Sequence, residues 1–173
     1  MFSWSLKNAK QRLVITGALL AFFLFLAVSV LLRTEDCLIA ECGGKPLFAW
    51  PIEVGCCFEV TFMHSLNLSP ITDVIEWTGY DLVVRKSIFT AFGAGVPTPS
   101  DGIGTDLVFV DGRYELLGID KHMESFTIMT QTVPDHRIYL NGREARLLEL
   151  AGSGKAVDIA VRRMSLIRRL FYA

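Results

Sequence analysis

His64 and Ser65 are adjacent, and Ser69, Pro70 and Asp73 follow within the same segment. An imidazole, hydroxyls and a carboxylate are the materials of nucleophilic hydrolysis. That chemistry needs the histidine within hydrogen-bond reach of the nucleophile, and donors for the oxyanion. Neighbours on an extended strand point to opposite faces, so His64 and Ser65 are not expected to form such a pair. Ser65 also lacks the G-x-S-x-G elbow of a strand-to-helix nucleophile. The expected role of His64 is to donate to Asp73, or to a backbone carbonyl, and so pin the loop. A His–Asp pair near the surface would be the simplest pH-sensitive element of the chain.

A second segment, Phe92-Gly93-Ala94-Gly95-Val96-Pro97, has the glycines of a phosphate cradle but not the rest of one. A dinucleotide fingerprint requires G-x-G-x-x-G opening a helix, and a P-loop requires G-K-[ST]. Here prolines at 97 and 99 follow, which do not open that helix turn. The expectation is a glycine-permitted turn passing close to another strand, with no cofactor. His64, His122 and His136, the only histidines, show no close ligand spacing with Asp73, Asp106 or Asp120, so no metal site is expected. No catalytic motif is complete, and the chain is not expected to be an enzyme.

The elements that carry these segments read as β-structure. Val108-Phe109-Val110, Asp111-Gly112, Arg113-Tyr114-Glu115-Leu116 is a two-residue hairpin signature, repeated around Asn141-Gly142. Those dipeptides accept the positive φ that the tight turn needs. Gly43-Gly44 and Thr78-Gly79 suggest further reversals, and residues 58–62 and 156–161 alternate in polarity. Strand-length runs separated by turns indicate a mainly β fold, an antiparallel β-sandwich or barrel-like domain with one N-terminal transmembrane helix. The long irregular stretch from Gly93 to Gly104 is of the kind that is functional or mobile in a compact β domain.

The helix is placed by Leu13–Leu32, twenty residues without a charge, enough to span about 30 Å of hydrocarbon. The formal net charge of −1 is a cancellation. Residues 1–12 carry three bases and no acid, residues 34–161 carry all 18 acids against nine bases, and Arg33, Arg162, Arg163, Arg168 and Arg169 supply the remaining five positive charges. This balance does not suit a nucleic-acid protein. The positive-inside rule orients the chain with residues 1–12 cytoplasmic, 13–32 as a single-pass anchor in a bacterial inner membrane, 33–161 as a periplasmic β-domain and 162–173 as a basic C-terminal tail. A cleaved signal peptide is the competing reading. The tail arginines are expected to meet anionic headgroups or an acidic patch on a membrane partner. In an exported domain Cys37, Cys42, Cys56 and Cys57 would tend to pair, in any of three complete connectivities; a bond from Cys56 or Cys57 to Cys37 or Cys42 is favoured over one between adjacent residues.

The segments His64–Asp73 and Phe89–Pro97 together resemble a bacterial family of unknown function (domain of unknown function eighteen-fifty), whose pattern is roughly HSV-x-x-TPV-x-E followed by F-x-SFGAG-L-P. The cores match at His64, Ser65, Gly93, Ala94, Gly95 and Pro97. Ser69 and Asp73 stand for Thr and Glu with the chemistry kept, whereas Asn67 and Ala91 replace a frequent Glu and Ser. The resemblance covers about residues 37–161. It implies a small protein with an N-terminal hydrophobic segment, often encoded beside TRAP-type transporters of the TAXI class, and no assigned activity. The expected function is therefore a membrane-anchored accessory protein or binding module whose partner is a TRAP permease or its periplasmic solute receptor. His64–Asp73 and Gly93–Pro99 would form its working surface. A small-ligand-binding β-domain, or an envelope hydrolase or metal-dependent enzyme, are the alternatives.

Overall fold

The computed structural model describes residues 2–93, 96 and 98–172. Helix α1 (Phe2–Leu31) is followed after two residues by β1 (Thr34–Cys42), β2 (Lys45–Pro51), β3 (Cys57–Met63), β4 (Pro70–Trp77) and β5 (Leu82–Phe89). Strands β6 (Asp106–Val110), β7 (Arg113–Met123), β8 (Ser125–Met129), β9 (Arg137–Leu140) and β10 (Arg143–Arg146) come next. Helix α2 (Leu147–Ala151), β11 (Ala156–Ser165) and helix α3 (Leu166–Arg169) complete the chain, with a 3₁₀ turn at Leu170–Tyr172. Within α1, Gln11–Leu31 is long and apolar enough to be a membrane anchor or a signal sequence, and none of it is buried against the rest of the protein.

The strands form two antiparallel sheets in a sandwich-like arrangement. One has four strands in the order β2-β1-β11-β8, the other seven in the order β10-β9-β3-β4-β5-β7-β6. The hairpin turns sit where the glycines demand: Asp111 and Gly112 have φ of 50° and 77°, and Asn141 and Gly142 have 49° and 77°. The main core lies between the sheets and includes Leu38, Phe48, Phe58, Ile75, Ile138 and Ile159. Each such side chain, fully withdrawn from water, contributes about 1.5–3 kcal/mol. On β1 the neighbouring Cys37 and Ile39 face the other way, into a small cluster with Ala49 and Met164 that Tyr172 packs against. Both faces of β1 are thus covered, which is why 37–40 is unbroken in its apolar character.

Four strands do not cover seven. On the uncovered part Ile71, Phe89 and Leu116 form a further cluster, closed by Val96 from the segment between β5 and β6, and Ile119 joins it to the main core. The irregular stretch thus substitutes locally for a second sheet.

Two expectations are corrected. The basic tail does not begin at residue 162, because β11 runs to Ser165: β1 offers pairing partners along its whole length, down to Thr34 opposite Ser165. The four cysteines are free. Cys37 is fully buried on the outer side of the four-stranded sheet, whereas Cys56 and Cys57 lie at the start of β3 in the other sheet, so the favoured cross-link does not form.

Candidate functional site

The β3–β4 connection is a compact loop closed on itself. The His64 N–H donates to the Ser69 carbonyl and the Leu68 N–H to the His64 carbonyl, both at 2.9 Å, with Leu68 at a φ of 50°. His64 Nδ1 accepts from the Asn67 N–H at 3.4 Å. The expected donation from His64 to Asp73 or to a backbone carbonyl is not what the ring makes: it accepts from the loop instead. The reason is register: Asp73 sits within β4 opposite Val60, while His64 lies past the end of β3. Ser65 is exposed and has no bond to His64; Ser69 is buried, and Pro70 opens β4 opposite Met63.

The second motif meets the first. A Cβ added at Gly93 would lie 2.1–2.5 Å from the Asn67 side-chain amide, so the glycine is there to let the two loops touch. Phe92 packs edge-on against Phe89 at 5.3 Å and tilted against Tyr114 at 4.5 Å, and Phe109 of β6 reaches the same tyrosine at 4.8 Å. Further on, the Thr98 hydroxyl and N–H donate to the Asp101 carboxylate at 2.7 and 3.0 Å. Ala94, Gly95 and Pro97 lie outside the described residues. What the geometry does here is packing: the loop seats Val96 and Phe92 on the uncovered sheet.

Asp73 takes part in a different arrangement. It shares the inward side of β4 with Ile71, Ile75 and Trp77 and faces a cleft of about 220 Å³ at the β8 end of the sandwich. Lys121 of β7, opposite Val84, reaches the same cleft, as does His136 just before β9. Phe62 stacks on His136 at 5.2 Å, and among the described residues the buried His136 Nδ1 has no hydrogen-bond partner. Burial holds the Asp73 carboxyl above the usual carboxylate range; the Ser87 hydroxyl across the strand pair approaches without reaching hydrogen-bonding geometry and, with the Lys121 charge, pulls more weakly the other way. Burial likewise holds His136 below the ordinary imidazole value, against a smaller opposing pull from Asp135.

These shifts have opposite consequences for stability. Folded Asp73 holds its proton more tightly than the unfolded chain does. Its contribution is therefore present at low pH and is lost as the pH rises from about 3.9 through the folded value. Folded His136 holds its proton less tightly, so its contribution is complete above about pH 6.5 and is lost as the pH falls from there. Asp73→Asn is therefore expected to raise Tm by a few degrees at pH 7 and to leave it unchanged near pH 3. Thermal melts of the full-length chain at the two pH values check this; an unchanged Tm at pH 7 would count against a desolvated carboxylate.

The sequence reading weighed His136 only as a metal ligand and passed over Lys121. The available signal was positional: Asp73 falls between Ile71 and Ile75, and Lys121 between Ile119 and Met123, at positions where strand alternation places apolar residues. Among the described residues no three His, Cys, Asp or Glu side chains converge as a metal would require; His122 Nδ1 lies instead 2.6 Å from the Asp81 carboxylate.

The terminal arginines are mostly engaged. Arg162 pairs with Glu41 at 3.1 Å, Arg163 donates to the Thr34 hydroxyl at 3.2 Å and Arg169 pairs with Glu35. Tyr172 donates to Glu41 at 2.5 Å. The chain end thus folds back on β1, and α3 touches α1. The guanidinium of Arg168 pairs with no acid among the described residues.

Comparison with protein families gives a match to "Domain of unknown function (DUF1850)" over residues 58–147. That span is narrower than the 37–161 suggested by the motifs, and it holds both motif loops, the Asp73 cleft and β6. No curated protein and no solved structure matches the chain. With more than half of the 173 residues inside the matched span, the chain belongs to the DUF1850 family of domains of unknown function.

Proposed function

We propose that this chain is a membrane-tethered binding module, not an enzyme, and that it engages a protein partner by strand addition at β6. The observation that carries this reading is the contrast between sheet edges. β10 presents Arg143, Glu144 and Arg146, with Arg146 paired to Asp135 and Glu149. β2 is guarded by Lys45, Pro46 and Pro51, while the remaining edge, β8, carries neither charge nor proline but keeps Ile128 buried and Phe126 half-buried. Charge and proline are the usual means of keeping an edge from pairing. Among the described residues β6 has β7 as its only neighbour, and it exposes Leu107, Val108, Phe109 and Val110 in succession. An open apolar edge is what β-augmentation uses, with main-chain bonds for affinity and alternate side chains for specificity.

The tether is α1, retained as an anchor with its basic end in the cytoplasm and the β-domain in the periplasm. Tethering raises the effective concentration of the domain near any membrane partner. The family resemblance points to a TAXI-class TRAP permease, or its solute receptor, as that partner. The tagged full-length protein, cross-linked and purified in detergent, is expected to bring down a TRAP permease or receptor. Replacing Val108 and Val110 together by lysine should abolish capture while leaving the melting curve in place. Absence of any TRAP component, or its retention by the lysine variant, would overturn the respective part of the reading.

A further inference from the structure

The Asp73 cleft has features that neither the fold nor the docking edge requires. A carboxylate on β4 and an ammonium on β7 face one small space, yet no ion pair joins Asp73 to Lys121 within 4 Å. Each of the two neighbouring basic side chains of β5 is, by contrast, paired: Arg85 with Glu76 and Asp120, Lys86 with Glu115. The third polar group, His136 Nδ1, is buried without a partner among the described residues, although buried polar atoms are as a rule satisfied. Around these groups the walls are apolar, with Phe62, Ile75, Met123 and Phe126 prominent.

From this arrangement we infer that the cleft binds a small zwitterion with an apolar side chain, of the class of the aliphatic α-amino acids. The charges decide the class. Asp73 and Lys121 sum to zero, so a bare cation would meet Lys121 unfavourably and a bare anion would meet Asp73 unfavourably. A zwitterion satisfies both, its ammonium donating to the Asp73 carboxylate and its carboxylate accepting from Lys121 at the exposed mouth. His136 lines the same cleft, with its Nδ1, unpartnered among the described residues, buried behind the cleft wall. The side chain then lies against the phenylalanines and Ile75, where each buried methylene contributes about 0.8 kcal/mol. The volume, about 220 Å³, is below the range of about 300–1,000 Å³ usual for drug-sized ligands and suits a single amino acid. This inference does not rest on the β6 edge: a protein could fail to bind the ligand and still capture its partner, or the reverse.

Isothermal titration of the full-length protein in detergent with L-leucine tests it. Two truncated probes accompany it: 3-methylbutylamine, which lacks the carboxylate, and 4-methylpentanoate, which lacks the ammonium. Saturable leucine binding is expected, with each truncated probe at least about tenfold weaker. Asp73→Asn should remove leucine binding while the protein stays folded by circular dichroism, and Lys121→Gln, at the exposed mouth, should weaken it at least about tenfold. The inference is overturned if neither L-leucine nor L-methionine binds up to about 10 mM. Equal binding of 4-methylpentanoate, or an unchanged affinity in either variant, would overturn it as well.

Discussion

Phe89→Ala is expected to lower the stability of the β-domain by about 3–5 kcal/mol, the largest single loss among the changes considered. Phe89 is 1% exposed and stands where the smaller sheet no longer covers the larger one. Its ring stacks on Tyr114 at 5.8 Å and meets Phe92 edge-on at 5.3 Å, and it packs with Ile71, Leu116 and Val96. Because Val96 comes from an irregular segment and not from a strand, no ladder of hydrogen bonds among the described residues keeps the cover in place once its aromatic seat is gone. Two readouts should therefore move together. Denaturant unfolding of the full-length chain gives the stability loss, and limited proteolysis should cut the 98–104 region faster than in the parent protein. A loss below about 1 kcal/mol would mean that the segment is held by something other than this cluster.

Gly93→Ala is expected to cost about 1–3 kcal/mol, as overpacking of a close contact does, and Asn67→Ala is expected to remove most of that cost. The new methyl group would lie 2.1–2.5 Å from the Asn67 amide atoms. The backbone there is not at positive φ, so the penalty is a steric one between two loops. A double-mutant cycle separates this from a conformational effect: contact between 67 and 93 demands a coupling of at least about 0.5 kcal/mol, whereas additive losses would show that the two loops do not press on each other. The same cycle measures how tightly the His64 loop and the Phe92 loop act as one unit, which matters because both lie within the family match.

The hairpins at Asp111-Gly112 and Asn141-Gly142 were legible because their turn chemistry is local, and so was the mainly β class. The end of the last strand was not. Arg162 and Arg163 interrupt the apolar alternation of 156–161, and only the length of β1 opposite them shows that the strand continues to Ser165. The partner of Asp73 was also misread, since nearness in sequence to His64 suggested a bond that strand register forbids. The cleft depends on still longer-range facts. Irregularities between Val84 and Lys86 of β5 and between Leu117 and Lys121 of β7 reset which residues of those two strands face inward and so which of them meet β4. Gly93 was expected to let the backbone pass close to another strand; what meets it instead, an asparagine side chain from another loop, is visible only in the fold.

Two residues separate the end of α1 from β1, and α3 clasps the same junction through Arg169 and Glu35. A domain joined this way hangs on a stem and not on a leash. With two residues between them, the domain starts within a short reach of the helix end. A partner bound at β6, as proposed above, would therefore be held close to the surface that anchors the helix.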